Sequence, residues 1–193
     1  MAASRPKKAA GRRVKRRRAV FLDRDGVLVR NVLRGGNAHA PRTLEEFRLY
    51  PGAAAAVRRL RRAGYLTVVV TNQPDIGKGL IAPRTVAAMH AGMRREMPLD
   101  AVEICPHKRS DNCRCMKPKS GMLRAAQRRY SIDFKRSFMV GDRRSDVIAG
   151  AGVGCYTIFI NRGYDACREI RPDRTVRSVQ QAVRHILINP RPQ

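Results

Sequence analysis

Four apolar residues, Ala19 to Leu22, run without a break into Asp23-Arg24-Asp25-Gly26. A short apolar run that ends in acids is the pattern of a buried parallel strand delivering polar side chains to its carboxyl edge. A simple turn would show the same Asp-x-Asp-Gly, because Asp and Gly both favour turns. The remainder of the chain decides between the two.

Pro51-Gly52 opens an alanine-rich helix closed by Gly64, and Tyr65 to Val70 then reads as a buried β-branched strand. The alternation continues. Pro83 starts a helix toward Glu96, Ala101 to Ile104 is a strand, Ser120 to Tyr130 a helix and Phe138 to Val140 a strand. A helix follows Ser145, Cys155 to Ile160 is a strand, and Ser178 caps a last helix. Alternation of this kind predicts an α/β fold, a three-layer Rossmann-like parallel sheet wrapped on both faces. Val27 to Tyr50, with Gly35, Gly36 and Pro41, reads as a flap of loops over the mouth of a site, with no large cap domain. One domain is expected over residues 19–188, between a basic tail at 1–18 and a short C-terminal tail at 189–193.

The formal charge of +26 includes nine cations between Arg5 and Arg18, with no acid among them. Such a block attracts anions of any kind, nucleic acid and phosphorylated substrates included, and is ordinarily a solvated arm. No apolar run approaches the roughly 20 residues needed to span a bilayer, and the first 18 residues lack a secretory core. A soluble, cytoplasmic monomer is expected.

Three strand ends carry polar groups that would converge: Asp23 with Asp25, Thr71-Asn72-Gln73, and Gly141-Asp142 with Asp146. Carboxylates gathered at one sheet edge repel each other unless a cation sits among them. FLDRDGVL, VVVTNQ, the lysine of MKPK and VGDRRSD stand in the order of the four motifs of the haloacid dehalogenase superfamily, which the chain resembles over about 120 residues. The resemblance implies a magnesium-dependent phosphatase in which Asp23 is the nucleophile and Asp25 the acid and base. It further implies magnesium held by Asp23, the backbone carbonyl of Asp25, and Asp142. Thr71 and Lys117, with Asn72 and Gln73 beside them, would hold the phosphoryl oxygens, and Asp146 would orient Lys117 or the metal shell. His39, His90 and His185 have no partner motif and read as ordinary surface or helix residues.

Cys105-Pro-His107 followed by Cys113-Arg-Cys115 offers three thiolates and one imidazole, enough to close a tetrahedral zinc shell; free thiols beside a surface histidine are the plainer alternative. A closed shell is structural and leaves no position for a reacting water. With this loop the resemblance narrows to the branch that contains heptose bisphosphate phosphatases and histidinol-phosphatase domains. That implies hydrolysis of a small sugar phosphate, most directly a heptose 1,7-bisphosphate at its 7-phosphate, with histidinol phosphate as the alternative. A nucleic-acid end phosphatase or binding protein, motivated by the charge, is a third reading, and a catalytically dead zinc scaffold ranks last. Met116 stands where the branch has arginine, and Pro74-Asp75 where it has Ser-Gly. Arg24 and Lys78 are the substrate-binding cations expected to compensate.

Overall fold

The computed structural model describes residues 16–164 and 171–190. β1 (Ala19–Leu22) consists of four fully buried apolar residues. A small hairpin comes next, β2 (Val32–Arg34) and β3 (Asn37–His39), turned by Gly35 and Gly36 at φ 56° and 76°. After it stand α1 (Ala53–Arg62), β4 (Leu66–Asn72), the single turn α2 (Pro74–Gly77), α3 (Pro83–Glu96) and β5 (Ala101–Cys105). The second half holds α4 (Gly121–Tyr130), β6 (Phe138–Gly141), α5 (Arg144–Ala151), β7 (Tyr156–Ile160), β8 (Arg174–Val176) and α6 (Val179–Ile188).

The six long-range strands form one sheet in the order β5-β4-β1-β6-β7-β8, every pairing parallel. Counted along the chain this is the doubly wound order 3-2-1-4-5-6, whose connections diverge from β1. Ligands in such sheets bind beyond the carboxyl ends of the strands at that divergence. Asp23 leaves β1 there, and its amide donates to the Val140 carbonyl of β6 at 2.9 Å.

Successive β1 side chains point to opposite faces, so Val20 and Leu22 enter one core and Ala19 and Phe21 the other. The first core is closed by Val57 and Leu60 of α1 and by Val183 and Ile186 of α6. The second is closed by Met122, Leu123 and Ala126 of α4 and Ala149 of α5. The three-layer expectation holds, and no large cap is present among the described residues.

Three details differ from the expectations set by sequence. The flap contains a hairpin, because Gly35-Gly36 supplies the two positive φ angles of a two-residue turn. β8 is a strand that no apolar pattern announces; its three residues, Arg-Thr-Val, are mostly exposed. Two residues assigned to the basic tail make contacts with the main domain: Arg17 bridges Ile132, and the Arg18 guanidinium sits 4.2 Å from the centre of the Tyr65 ring. Residues 1–15, 165–170 with Cys167, and 191–193 lie outside the described residues. No described helix is long and apolar enough to cross a membrane.

Ser178 caps α6 as expected, its hydroxyl accepting from the Gln181 amide at 3.2 Å. Ser178→Ala is expected to lower stability by about 1 kcal/mol. Urea unfolding monitored by circular dichroism measures it, and turnover should stay unchanged because the Ser178 hydroxyl bonds the helix's own Gln181 amide and none of the acids at the carboxyl edge.

Candidate active site

The register of the sheet brings the acids together. Leu22 pairs with Val69 on one side and Val140 on the other. Asp23 is therefore level with Val70 and Gly141, and Thr71 and Asp142 follow one residue further along the adjacent strands. Lys117 reaches the same point from the loop after β5, and its ammonium is 2.8 Å from Asp23 Oδ1, 2.6 Å from Asp146 Oδ1 and 2.8 Å from the Val70 carbonyl. All four of Asp23, Lys117, Asp142 and Asp146 are at most 7% exposed.

Burial opposes charge on Lys117, yet the carboxylates of Asp146 and Asp23 outweigh it and raise its pKa, so the ammonium persists. Burial raises the Asp23 carboxyl to about 6, with Lys117 opposing and Asp146 and Asp25 adding to the rise. Asp142 is also pushed up, first by burial and then by Asp23 and Asp146. One ammonium cannot neutralise three buried acids. The acceptor oxygens of Asp23, Asp142 and Asp146 lie within 4.8 Å of one another, and Asp142 Oδ1 has no hydrogen-bond partner among the described residues. An acid cluster with an unsatisfied oxygen suits a hard divalent cation with oxygen ligands.

Asp146 reaches Lys117 across Gly141, where an added Cβ would lie 2.1 Å from the Asp146 Cβ. A side chain at 141 must therefore displace Asp146.

Asp25 stands apart from this cluster. Its carboxylate takes a two-point grip from Arg24, Nε to Oδ1 at 2.9 Å and Nη2 to Oδ2 at 2.8 Å, and a third bond from Gln73 Nε2 at 2.7 Å. This corrects the expectation for Arg24, which is wholly buried and committed to Asp25 instead of standing at the rim. Gln73 likewise gives both amide hydrogens inward, to Asp25 and to the Thr71 hydroxyl at 2.9 Å. Asn72, expected at the phosphoryl group, instead holds the Lys117 backbone from both sides, donating to its carbonyl and accepting from its amide at 3.0 Å each. Lys78 is half exposed, with its ammonium 3.8 Å from Asp75.

Above these groups lies a cavity of about 310 Å³ whose wall includes Asp23, Asp25, Lys78, Lys117, Arg143 and Ser145. Arg143 is a site residue that sequence reasoning overlooks: it crosses to the Ala38 carbonyl of β3 at 2.9 Å and stacks 4.5 Å above the Tyr164 ring. Tyr164 is another, its hydroxyl donating to Asp142 Oδ2 and accepting from Asn31. Arg143 sits inside VGDRRSD and is legible there; nothing in the local pattern marks Tyr164.

The sulfurs of Cys105, Cys113 and Cys115 are 3.3 to 3.5 Å apart, and His107 Nδ1 is 3.2 Å from Cys115 and 3.7 Å from Cys105. A tetrahedral zinc shell with bonds near 2.3 Å has edges of roughly 3.7 Å, so the four donors fit one with slight expansion. The four could hold zinc directly beside the active site, for Cys105 pairs with Asn72 across β5 and β4.

A family model described as HAD-hydrolase-like matches residues 114–182. The D-glycero-beta-D-manno-heptose-1,7-bisphosphate 7-phosphatase of Pseudomonas putida is 36% identical over 149 residues, covering 75% of this chain and 82% of that protein. The chain belongs to the haloacid dehalogenase-like hydrolases. It is a phosphatase of that group. An alpha-anomer 7-phosphatase from Mycobacterium bovis is 35% identical over 152 residues, covering 73% of this chain and 78% of its own length. Among solved structures, D,D-heptose 1,7-bisphosphate phosphatase from B. bronchiseptica, complexed with magnesium and phosphate, superposes with a TM-score of 0.77 at 29% identity. It covers 89% of this chain and 98% of that one.

In this phosphatase the bare backbone at position 141 is part of the site. Gly141→Ala is expected to lower kcat at least about 100-fold by dislodging Asp146 from Lys117, in line with the loss that a displacement near 1 Å brings. Steady-state kinetics on protein of native circular dichroism decides it, and turnover within about fivefold of wild type contradicts the geometry.

Proposed function

We propose that the enzyme removes the 7-phosphate of D-glycero-D-manno-heptose 1,7-bisphosphate through an aspartyl-phosphate on Asp23. The observation that carries the choice of substrate is the charge at the mouth. Asp75 is the carboxylate best placed to welcome an amine such as that of histidinol phosphate. It is taken by Arg42 Nε at 2.8 Å and faces Lys78 at 3.8 Å. Glu46 is engaged by Arg34 and the Arg42 amide. The mouth thus offers cations and no free acid among the described residues, which suits a second phosphate and repels an ammonium.

Beside the 310 Å³ cavity is a groove of about 620 Å³ that shares Lys117, Arg143 and Ser145 with it and adds Arg109, Arg144 and Met116. Two compartments meeting at Lys117 and Arg143 match a substrate with phosphates at both ends. Lys119 is not free for this role, since its ammonium holds the Asn112 and Cys113 carbonyls at 3.0 Å.

In the first half-reaction an oxygen of Asp23 bonds to phosphorus as the bond to the sugar oxygen breaks, and the leaving oxygen takes a proton from Asp25. In the second, Asp25 takes a proton from water, whose oxygen bonds to phosphorus and releases Asp23 with inorganic phosphate. Lys117 and the Thr71 hydroxyl align the transferring oxygens. Asp23, Asp142 and the Asp25 carbonyl would hold magnesium, which when bound screens the negative phosphate from the carboxylate that attacks it. Zinc on Cys105, His107, Cys113 and Cys115 would be structural and would steady the loop that carries Lys117.

Two measurements test the reading. Asp23→Asn is expected to abolish turnover while the fold persists, and kcat/KM for the heptose bisphosphate should exceed that for histidinol phosphate at least about tenfold at matched pH and ionic strength. Equal efficiencies would overturn the substrate choice alone. Metal analysis should find about one zinc per chain, lost from Cys113→Ser; full retention in that variant removes the zinc assignment.

A further inference from the structure

By sequence alone His90 is one more histidine on a helix, without a partner motif. The structure places it in α3, partly buried, with Nε2 3.1 Å from Nη1 of Arg24. Arg24 has no exposed surface, and its other two donor directions both end on Asp25. A guanidinium buried this completely requires acceptors for its donors, since an unpaired charged donor in the interior is strongly disfavoured. Burial and the neighbouring Arg24 charge lower the His90 pKa to about 4, so the ring is neutral and Nε2 is an acceptor at physiological pH. Phe47 closes the remaining side, its ring centre 5.6 Å from the guanidinium carbon.

We infer that His90 is a positioning residue for the second half of the reaction: by anchoring Arg24 it fixes Asp25 as the carboxylate that takes a proton from the attacking water. This rests on the acid and base role of Asp25 proposed above. Three bonds, two from Arg24 and one from Gln73, align both oxygens of that carboxylate. Without the acceptor at position 90, Arg24 keeps its charge but loses one of its three supports, and it swings toward whatever acceptor remains. Asp25 then moves with it. Attack of water on phosphorus, which breaks the bond to the Asp23 oxygen and releases inorganic phosphate, then slows, because the base that should take the proton from that water is no longer aligned. Formation of the aspartyl-phosphate from a good leaving group needs no proton donor and is left intact.

The test uses the full chain with magnesium and p-nitrophenyl phosphate, whose phenolate departs unprotonated. In His90→Ala, kcat and KM are expected to fall together by about tenfold, with kcat/KM within about twofold and a p-nitrophenolate burst approaching one per enzyme, because only the later step slows. His90→Gln, which restores an acceptor, should recover at least half of the wild-type kcat, and it serves as the deciding variant if His90→Ala does not fold. A kcat within about twofold of wild type in His90→Ala overturns the inference, and so does an equal loss in the first turnover, which marks a merely structural role. Asp25→Asn run in parallel separates the two levels of argument. If that variant also hydrolyses the aspartyl-phosphate normally, the role of Asp25 fails; if it alone stalls, only the role of His90 does.

Discussion

A single buried ammonium holds this site together. Lys117 touches Asp23 at the end of β1, Asp146 at the start of α5 and the Val70 carbonyl of β4, so it ties the three central elements of the carboxyl edge. Coulomb attraction in such a dry setting exceeds that of exposed pairs several-fold, and removal of one partner leaves an uncompensated charge. The surplus of acid over ammonium is equally deliberate in effect. It leaves a cluster that is uncomfortable without a cation and therefore selective for one.

Most of the other polar side chains near the reaction serve these few groups. Asn72 grips the Lys117 backbone, Gln73 and Arg24 hold Asp25, and Arg143 donates its amide to Asp146 at 3.0 Å while its side chain reaches the hairpin. The cysteine loop belongs to the same scheme. It packs so closely on the start of α4 that a Cβ on Gly121 would lie 2.2 Å from the Arg114 carbonyl. Rigidity of the loop is thereby transferred to the lysine two residues beyond Cys115.

The fold and the acids are legible in the sequence because they obey local rules. Apolar runs of strand length, Pro at helix starts and Gly at their ends place nearly every element of the main sheet, and motif order places Asp23, Thr71, Lys117 and Asp142 on one edge. What escapes is decided by distant partners. Arg24 looks like a rim cation because its neighbours in the chain are a nucleophile and an acid; only the fold shows α3 and Phe47 covering it. Asn72 and Gln73 sit at the expected strand end, but their amides turn toward Lys117 and Asp25, a choice set by tertiary geometry. β8 is too short and too polar to announce itself. The hairpin, by contrast, has a local signal in Gly35-Gly36 that a reading of the flap as plain loops leaves unused.

That hairpin stands over the reaction centre by few attachments among the described residues, chiefly the Arg143 bond to Ala38 and the Arg34 ion pair with Glu46, while Arg42 pins the chain beyond it to Asp75. The catalytic acids are rooted in the sheet and share none of those attachments except through Arg143. Roof and floor can therefore diverge independently. A lineage descended from this chain could exchange the roof's length and charge to admit a different phosphate ester while the hydrolytic apparatus below stayed unaltered, so that selectivity evolves faster than chemistry.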